Sequence, residues 1–565
     1  MQEKRWIAKP LPNHEIINLL SQEIGIDSQL STLLALRGIS SFDEAKAFFR
    51  PSLKDLHDPF LMKDMDLAVA RIERAMAARE HILIYGDYDV DGTTAVTLLY
   101  DYLSREYDLL DTYIPDRYTE GYGISTQGID YAEDNDVKLI IALDCGIKAT
   151  DKVKYALSKG IDFIICDHHT PGDEIPKAVA VLDPKRADCP YPYKELSGCG
   201  IGFKLVQAIH QKSNKPFDEL ISLLDVLAIS IGADIVPITG ENRTLAHFGL
   251  LQLNTNPRPG LKALMQTTGQ ESFNITNVVF ILGPRINAAG RIEHGKKAVE
   301  LLTGTDIQEL LEQAQEINAH NQTRKELDRG ITEQALEMIT ATGNKSTVVY
   351  HPDWHKGVIG IVASRLIETH YKPTVVLTKS NGKLAGSARS VKGFDLYAAL
   401  EKCESALEQF GGHKYAAGMT LYEKDLEAFK TLFEDAVAAL IAPEQLIPQI
   451  EYDLELSLAD ITPKFYRVLK QFEPFGPGNL SPLFLTKNLK DTGWAKGVGT
   501  DGAHLKFQAV EENTGTKLSG IAFGLGHLAE QIKYGQPFSI VYHIEENHWN
   551  GNVHLQLMVK DLKLN

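Results

Sequence analysis

The sequence predicts a multidomain α/β protein: a parallel sheet covered by helices, a second and smaller α/β unit joined to it by a long helix, and a small C-terminal β-barrel. Three observations carry that expectation. From residue 81 to about 240, short apolar strands alternate with helical patterns, the signature of a mostly parallel sheet. Residues 306 to 341 are charged, low in proline and helical in period, as expected of a connecting helix. After the Pro-containing stretch IAPEQLIPQ near 442–449, the chain changes to short strands separated by Gly and Asn turns.

Taken in order, residues 1–75 read as mostly helical, with apolar periodicity in IINLLSQEIGI and STLLALRGI. The parallel-sheet region follows with HILIY, a helix near 93–105, KLIIAL, a helix near 149–159, DFIIC, AVAVL, and an apolar helix through LLDVLAISIGA. In the second α/β unit, STVVY and TVVLT flank a helix in GVIGIVASRLIETH, and KLAGSARS and AAGMTL come next. The barrel strands are HLKFQAV, LSGIAF, FSIVYHIEE and NVHLQLMVKDL, a pattern that fits an OB-fold. The expected organisation is 1–305 for the helical region and first α/β domain, 306–342 for the connecting helix, 343–441 for the second domain, and 445–565 for the barrel. A chain of 565 residues is too long for one core, which agrees with three or four domains.

Composition excludes several classes. Hydrophobic residues make up 44% and charged residues 24%, ordinary values for a globular protein. No apolar run reaches the length of a membrane span, and the N-terminus MQEKRWIAKPLPNHE lacks the apolar core of a signal peptide, so the expectation is a cytoplasmic protein without membrane contact. The five cysteines, Cys145, Cys166, Cys189, Cys199 and Cys403, contain no C-x-x-C pair, which argues against zinc ribbons and disulfide scaffolds. A net charge of −17 speaks against a generic nucleic-acid coat protein while leaving room for a local basic groove.

The chemistry begins in HILIYGDYDVDGTTAVTLL, residues 81–99, where Asp87, Asp89 and Asp91 alternate and Gly92 closes the run. A calcium-binding EF-hand loop requires a carboxylate at its twelfth position, between helices. Here the twelfth position is Leu98, and an apolar strand precedes the aspartates. Ligands of open α/β sheets sit beyond the carboxyl ends of strands, and like charges gathered there call for a cation. Asp144 after KLIIAL, Asp167, His168 and His169 after DFIIC, and Asp234 after the LLDVLAISIGA helix all fall at element ends. Such a set suits two divalent ions, Mn²⁺ or Mg²⁺, and the hydrolysis of a phosphoester.

GDYDVDG, LDCG, DHH and ADIVP, in that order, resemble the four motifs of the DHH phosphoesterase superfamily. GPRINAAGRI, WHKGVIGIVASRL, GSARS and FGGHKYAAGMT are similar to its longer branch, the RecJ family of single-strand-specific 5′→3′ exonucleases. The resemblance implies a DHH domain, a DHH-associated domain, and an OB-fold at the C-terminus. It implies Asp89, Asp91, Asp144, His168 and Asp234 as metal ligands, with Asp144 as the bridge. His169 would face the scissile phosphate, Asp87 would lie close to the metals, and Asp167 would orient a histidine. Candidates for binding the nucleic acid and its 5′-phosphate are Arg389 with Ser387, Arg365, Gly411, Gly412, His413, Arg291, Arg285 and Arg117, because guanidinium forks and Gly-rich backbone can grip a phosphate.

The implied activity is removal of 5′-mononucleotides from single-stranded DNA in repair and recombination, by a monomer collaborating with a single-stranded-DNA-binding protein and a RecQ-type helicase. A DHH phosphodiesterase of short oligonucleotides or cyclic dinucleotides needs no barrel, and a non-catalytic scaffold needs no intact ligand set. In the barrel, Trp494, Phe507 and Trp549 are candidates for stacking bases, against the alternative of core packing.

Overall fold

The structure is a computed structural model that describes residues 3–339, 343–549 and 551–565; the last residues of the expected 306–342 helix and the side chain of Trp549 lie outside the described residues. The chain divides into two compact units, Asp55–Ile447 and a second in which the N-terminal residues through Lys54 join Pro448–Asn565.

The first unit holds two sheets. In one, five parallel strands run in the order Leu110–Tyr113, His81–Gly86, Val137–Leu143, Asp162–Cys166, Ala180–Leu182. Their apolar runs are buried on both faces: Ile82, Leu83, Ile84, Leu139, Ile140 and Ile141 have no exposed surface, as a helix-covered parallel sheet requires. The helices Val90–Leu103 and Gly198–Lys212 pack on this sheet. A 32-residue helix, Ile307–Met338, leads out of the helical layer.

The second sheet runs Gln409–His413, Ala416–Leu421, Lys383–Arg389, Thr374–Ser380, Thr347–Tyr350; only its last pair is parallel. The helices Ile359–His370 and Leu426–Leu440 belong with it. Buried Val375, Leu377, Ala399, Phe429 and Phe433 share its core.

In the second unit, strands Phe484–Asp491, Phe538–Trp549, Asn552–Leu564, Lys517–Ala522 and His504–Glu511 pair in that order, and the last returns to pair with the first. That closes a five-stranded barrel, which removes exposed sheet edges. Phe507 is fully buried with its ring edge-on to Phe538, so it is core and not a stacking platform. Trp494 is 45% exposed, with Lys496 Nζ 4.6 Å and Lys506 Nζ 5.9 Å from its ring centroid.

One expectation is corrected. Residues 1–305 were expected to group as one region, but residues through Lys54 pack with the barrel unit. Strand Arg5–Ala8, in a region read as mostly helical, pairs in parallel with Gln449–Tyr452. Leu20, Leu30, Leu33, Leu34 and Ala45 enter the same core as Leu454, Phe465, Phe507 and Tyr542. An amphipathic helix declares that it has an apolar face but not which partner covers it. Leu33→Ala, at a position with no exposed surface, should lower the stability of the barrel unit by about 2–5 kcal/mol. Hydrogen exchange of strands 484–491 and 538–549 should report the loss while strands 81–86 and 137–143 keep their protection; unaltered protection of the barrel strands would refute the shared core.

Candidate metal centre and phosphate pocket

Strands His81–Gly86 and Val137–Leu143 lie side by side, Gly86 opposite Leu143. The chain leaves the first toward the edge strand Leu110–Tyr113, while the second is followed by Asp162–Cys166 on the other side. Loops diverge at such a switch point and leave a crevice. Asp87, Asp89 and Asp91 follow the first strand, Asp144 the second, and Asp167, His168 and His169 the third, so backbone topology alone gathers them. Asp144 adopts a left-handed backbone with φ +60°, a conformation that Asp tolerates better than most residues.

Each side chain has a distinct local reason for its place. Asp89 caps the helix Val90–Leu103, its carboxylate accepting the Gly92 N–H at 3.0 Å. A Cβ on Gly92 would come within 2.4 Å of the Asp87 carbonyl oxygen, so the closing residue of the aspartate run has no room for a side chain. Asp91 accepts from the Gly198 and Cys199 N–H groups at 2.6 and 2.9 Å, at the start of helix Gly198–Lys212, and from the Ser230 hydroxyl at 2.6 Å. Asp167 accepts from the backbone N–H groups of Ile147, His168 and His169 and lies 2.8 Å from His169 Nδ1. The other ring nitrogen of His169 lies 3.1 Å from the Tyr122 hydroxyl.

His168 is the hub. Its Nε2 lies 3.2 Å from Asp144, 3.6 Å from Asp234 and 3.7 Å from Asp91. Potential ligand atoms of Asp91, His168 and Asp234 lie within 4.8 Å of one another, as do those of Asp144, His168 and His169. The two groups overlap at His168, and neither includes Asp87 or Asp89. Asp87 Oδ2, Asp144 Oδ1 and both ring nitrogens of His168 are buried without a hydrogen-bond partner.

Electrostatics show what this donor set suits. Burial, with Asp91 and Asp89 next in effect, pushes the Asp144 carboxyl well above its usual range. Burial and Asp91 likewise raise Asp89 and Asp234, and burial and Asp89 raise Asp87. Burial lowers His168, favouring the neutral imidazole that can ligate. Orphaned oxygens and an unprotonated ring nitrogen in one crevice fit hard divalent cations, so the donor set passes the chemical test for Mn²⁺ or Mg²⁺. Asp167 behaves oppositely: burial alone would raise it, but His169 and the Ile147 N–H carry it below the usual range. His169 is pulled down by burial and lifted above its usual value by Asp167.

Beside this cluster, a cavity of about 670 Å³ is lined by Tyr88, Arg117, Tyr122, Arg291, Lys356, Ser387, Arg389 and Gly411, among others. Strand alternation puts Ser387 and Arg389 on one face, with Arg389 Nη1 donating to Ser387 Oγ at 3.1 Å. Gly360 makes room for the fork, since a Cβ there would sit 3.0 Å from Arg389 Nη2. Arg117 lies 4.0 Å above the Tyr88 ring, and its Nε is buried without a partner. Arg291 donates to the Gly357 carbonyl at 2.7 Å; burial and the neighbouring Arg117 lower its pKa to about 10. No carboxylate forms an ion pair with Arg117, Arg291 or Arg389 among the described residues, so the pocket presents positive charge beside a negative cluster, which Arg117 moderates through space at Asp87 and Asp89.

The remaining candidates divide. His413 and His169 line a second cavity, of about 580 Å³. Arg365 does not line the phosphate pocket: its Nε and Nη2 donate at 2.8 and 2.7 Å to buried Asp328 on the long helix. A buried carboxylate demands a cation, which diverts Arg365 from the cavity. Arg285 lies outside it too, donating to Asn318 and to the Ile281 carbonyl. Gly412, at φ +149°, serves the hairpin, where a Cβ would meet the Ala416 carbonyl oxygen at 2.4 Å. Sequence reasoning missed Tyr122, which lines both cavities although it stands in the IPDRYTEGYG segment singled out for Arg117. It also missed Lys356, although that residue stands in the WHKGVIGIVASRL segment, and Ser230, whose side chain carries no positional signal in a single sequence.

Residues 81–231 match the DHH family N-terminal domain, 343–439 the DHHA1 domain and 452–561 the RecJ OB domain. The single-stranded-DNA-specific exonuclease RecJ of Bacillus subtilis is 38% identical over 99% of this chain and 70% of that protein. That of Salmonella typhimurium is 32% identical over 94% of this chain and 95% of its own. The crystal structure of RecJ from Thermus thermophilus in complex with Mn²⁺ superposes with a TM-score of 0.86 at 28% identity, covering 99% of this chain and 80% of that one. A buried carboxylate–imidazole cluster at the switch point of a DHH domain, followed by the two further domains in matching order, accounts for these similarities: the chain belongs to the RecJ family of single-stranded-DNA-specific exonucleases.

Proposed function

We propose that this chain is a metal-dependent exonuclease that releases 5′-mononucleotides from single-stranded DNA, in repair and recombination. The observation that carries the reading is the juxtaposition of a cation-demanding cluster with a guanidinium-lined pocket, the two joined through Tyr88, which stands between Asp87 and Asp89 and lines the pocket. Asp89, Asp91, Asp144, His168 and Asp234 would hold two ions, with Asp144 as the shared ligand and Asp87 close by. Bound there, Mn²⁺ or Mg²⁺ supplies Lewis acidity and a water of lowered pKa for attack on phosphorus.

The chain's own groups do the rest. Asp167 orients His169, whose Nε2 then presents a proton toward the scissile phosphate. Arg389 and Ser387, with Arg291 and Arg117, hold the terminal 5′-phosphate by charge-assisted hydrogen bonds. Gripping that end next to the metals limits each cut to one nucleotide and sets 5′→3′ polarity. Trp494, flanked by Lys496 and Lys506, offers the barrel a stacking surface with cations at hand. Unwinding produces the substrate, so a RecQ-type helicase and a single-stranded-DNA-binding protein are the proposed collaborators of a cytoplasmic monomer.

The direct test is incubation with Mn²⁺ and single strands labelled at either end: mononucleotides should leave only from the 5′ end. Release from the 3′ end, or cleavage confined to dinucleotides, would refute the reading. Asp144→Ala should abolish hydrolysis without unfolding the chain, because it removes one of several repelling carboxylates. Mn²⁺ should raise the melting temperature of the wild type and not of this variant; near-normal turnover would rule out the two-ion arrangement.

Arg389→Ala should depress kcat/KM more on 5′-phosphorylated than on 5′-hydroxyl strands, and Arg389→Lys should recover little, since an ammonium lacks the fork. Equal losses on both ends would move the end-reading role elsewhere. Trp494→Ala should weaken binding of long strands by about 1–3 kcal/mol while leaving short oligonucleotides unaffected; unchanged long-strand affinity would remove the barrel tryptophan from the interface.

A further inference from the structure

The 580 Å³ cavity touches the chemistry described so far only through His169 and Asp167; the rest of its lining has no assigned role. It shares Tyr122 with the phosphate pocket and includes His169, so the two chambers meet at the residues closest to the proposed reacting phosphate. Their linings differ in kind. The phosphate pocket presents three guanidinium groups, matched to a terminal phosphate monoester that carries up to two charges. The second chamber combines Ile124, Ile147 and the Tyr122 ring with Lys148 and Lys152; its two carboxylates are already engaged, Asp151 with Lys154 and Asp167 with His169 and three backbone N–H groups. Lys148 is exposed and has no carboxylate partner among the described ion pairs, while Lys152 Nζ reaches Thr126 Oγ1 at 2.5 Å. Both lysines stand at the start of helix Thr150–Ser158, which Ala149 leaves without a capping side chain, so the helix dipole adds to their charge. Apolar and aromatic walls beside single ammonium groups suit a base followed by a monoanionic diester, and the volume lies in the range of small-ligand sites.

We propose that this chamber is the subsite for the nucleotide immediately 3′ of the scissile linkage, with its base against Ile124, Ile147 and Tyr122 and its outgoing phosphodiester near Lys148 and Lys152. The inference rests on the exonuclease reading: with the terminal nucleotide in the guanidinium pocket, the next one must cross Tyr122 and His169 to reach the opposite side. His413 of the second α/β domain closes that side. The strand is thereby held on both flanks of the bond to be cut.

The test uses the full chain and three 5′-phosphorylated single strands of one sequence: intact, abasic at the second nucleotide, and abasic at the third. With Mn²⁺, the second-position lesion should lower kcat/KM for the first cut about tenfold, and the third-position lesion should lower it far less. Without activity, in EDTA, fluorescence anisotropy should show Lys148→Glu raising the Kd of the intact strand about tenfold and lessening the slope of log K against log salt by about 0.7. Equal first-cut rates on all three strands, with the Lys148→Glu Kd unchanged and mononucleotides still released from 5′ ends, would overturn the subsite alone. Absence of mononucleotide release from any strand would overturn the exonuclease reading and the subsite with it.

Discussion

Mutual repulsion among buried carboxylates is the constraint on which the rest of this molecule depends. Asp87, Asp89, Asp91, Asp144 and Asp234 converge in one crevice, and four of them are pushed toward neutrality by burial and by one another. A fold tolerates such a cluster only if a cation compensates it or if rigid surroundings hold it in place. The parallel sheet meets the second condition, because its strands are buried on both faces and their carboxyl ends cannot move apart without exposing the core. Binding of divalent cations meets the first, so the burial that raises these carboxyls also preorganises the site.

Hydrogen bonding sorts these acids into different tasks. Asp91 is tied to a helix N-terminus and a hydroxyl, and Asp167 to three backbone N–H groups and a histidine. For Asp167 these contacts hold the carboxyl below its usual range. Asp144 and Asp87 each keep an oxygen with no donor, the condition expected of a group reserved for an external ligand. The two adjacent histidines divide in the same way: His168 is held among carboxylates with its nitrogens unengaged, while His169 leans on Asp167 and faces the cavity.

The second α/β domain adds Arg389 to the Arg117 and Arg291 of the first, and does so by small steric permissions. Gly360 leaves space for the Arg389 guanidinium, and strand alternation brings Ser387 beside it. Arg365, a few residues along the same helix as Gly360, is claimed by buried Asp328 and helps bind the domain to the long helix instead. Identical side-chain chemistry thus serves recognition in one place and cohesion in another, and what separates the two is whether a buried carboxylate lies within reach.

The positions of strands and helices along the chain and the gathering of aspartates at strand ends were legible in the sequence, because apolar periodicity and turn chemistry are local properties; the order of strands within each sheet was not. HILIY, KLIIAL and DFIIC could only be buried strands, and the residues after them had to share one edge of the sheet. The barrel was legible in its short strands and Gly turns, and the family in its motifs. Which arginines face the pocket was decided only by tertiary structure: Arg117, Arg291 and Arg389 line it, whereas Arg285 and Arg365 are drawn off by Asn318 and Asp328. So were the burial of Phe507, the twofold use of Tyr122, and the membership of residues up to Lys54 in the barrel unit. The reason is the same in each case. Sequence patterns report what a residue prefers to bury or expose, while its partner is chosen by segments from some thirty to more than four hundred positions away.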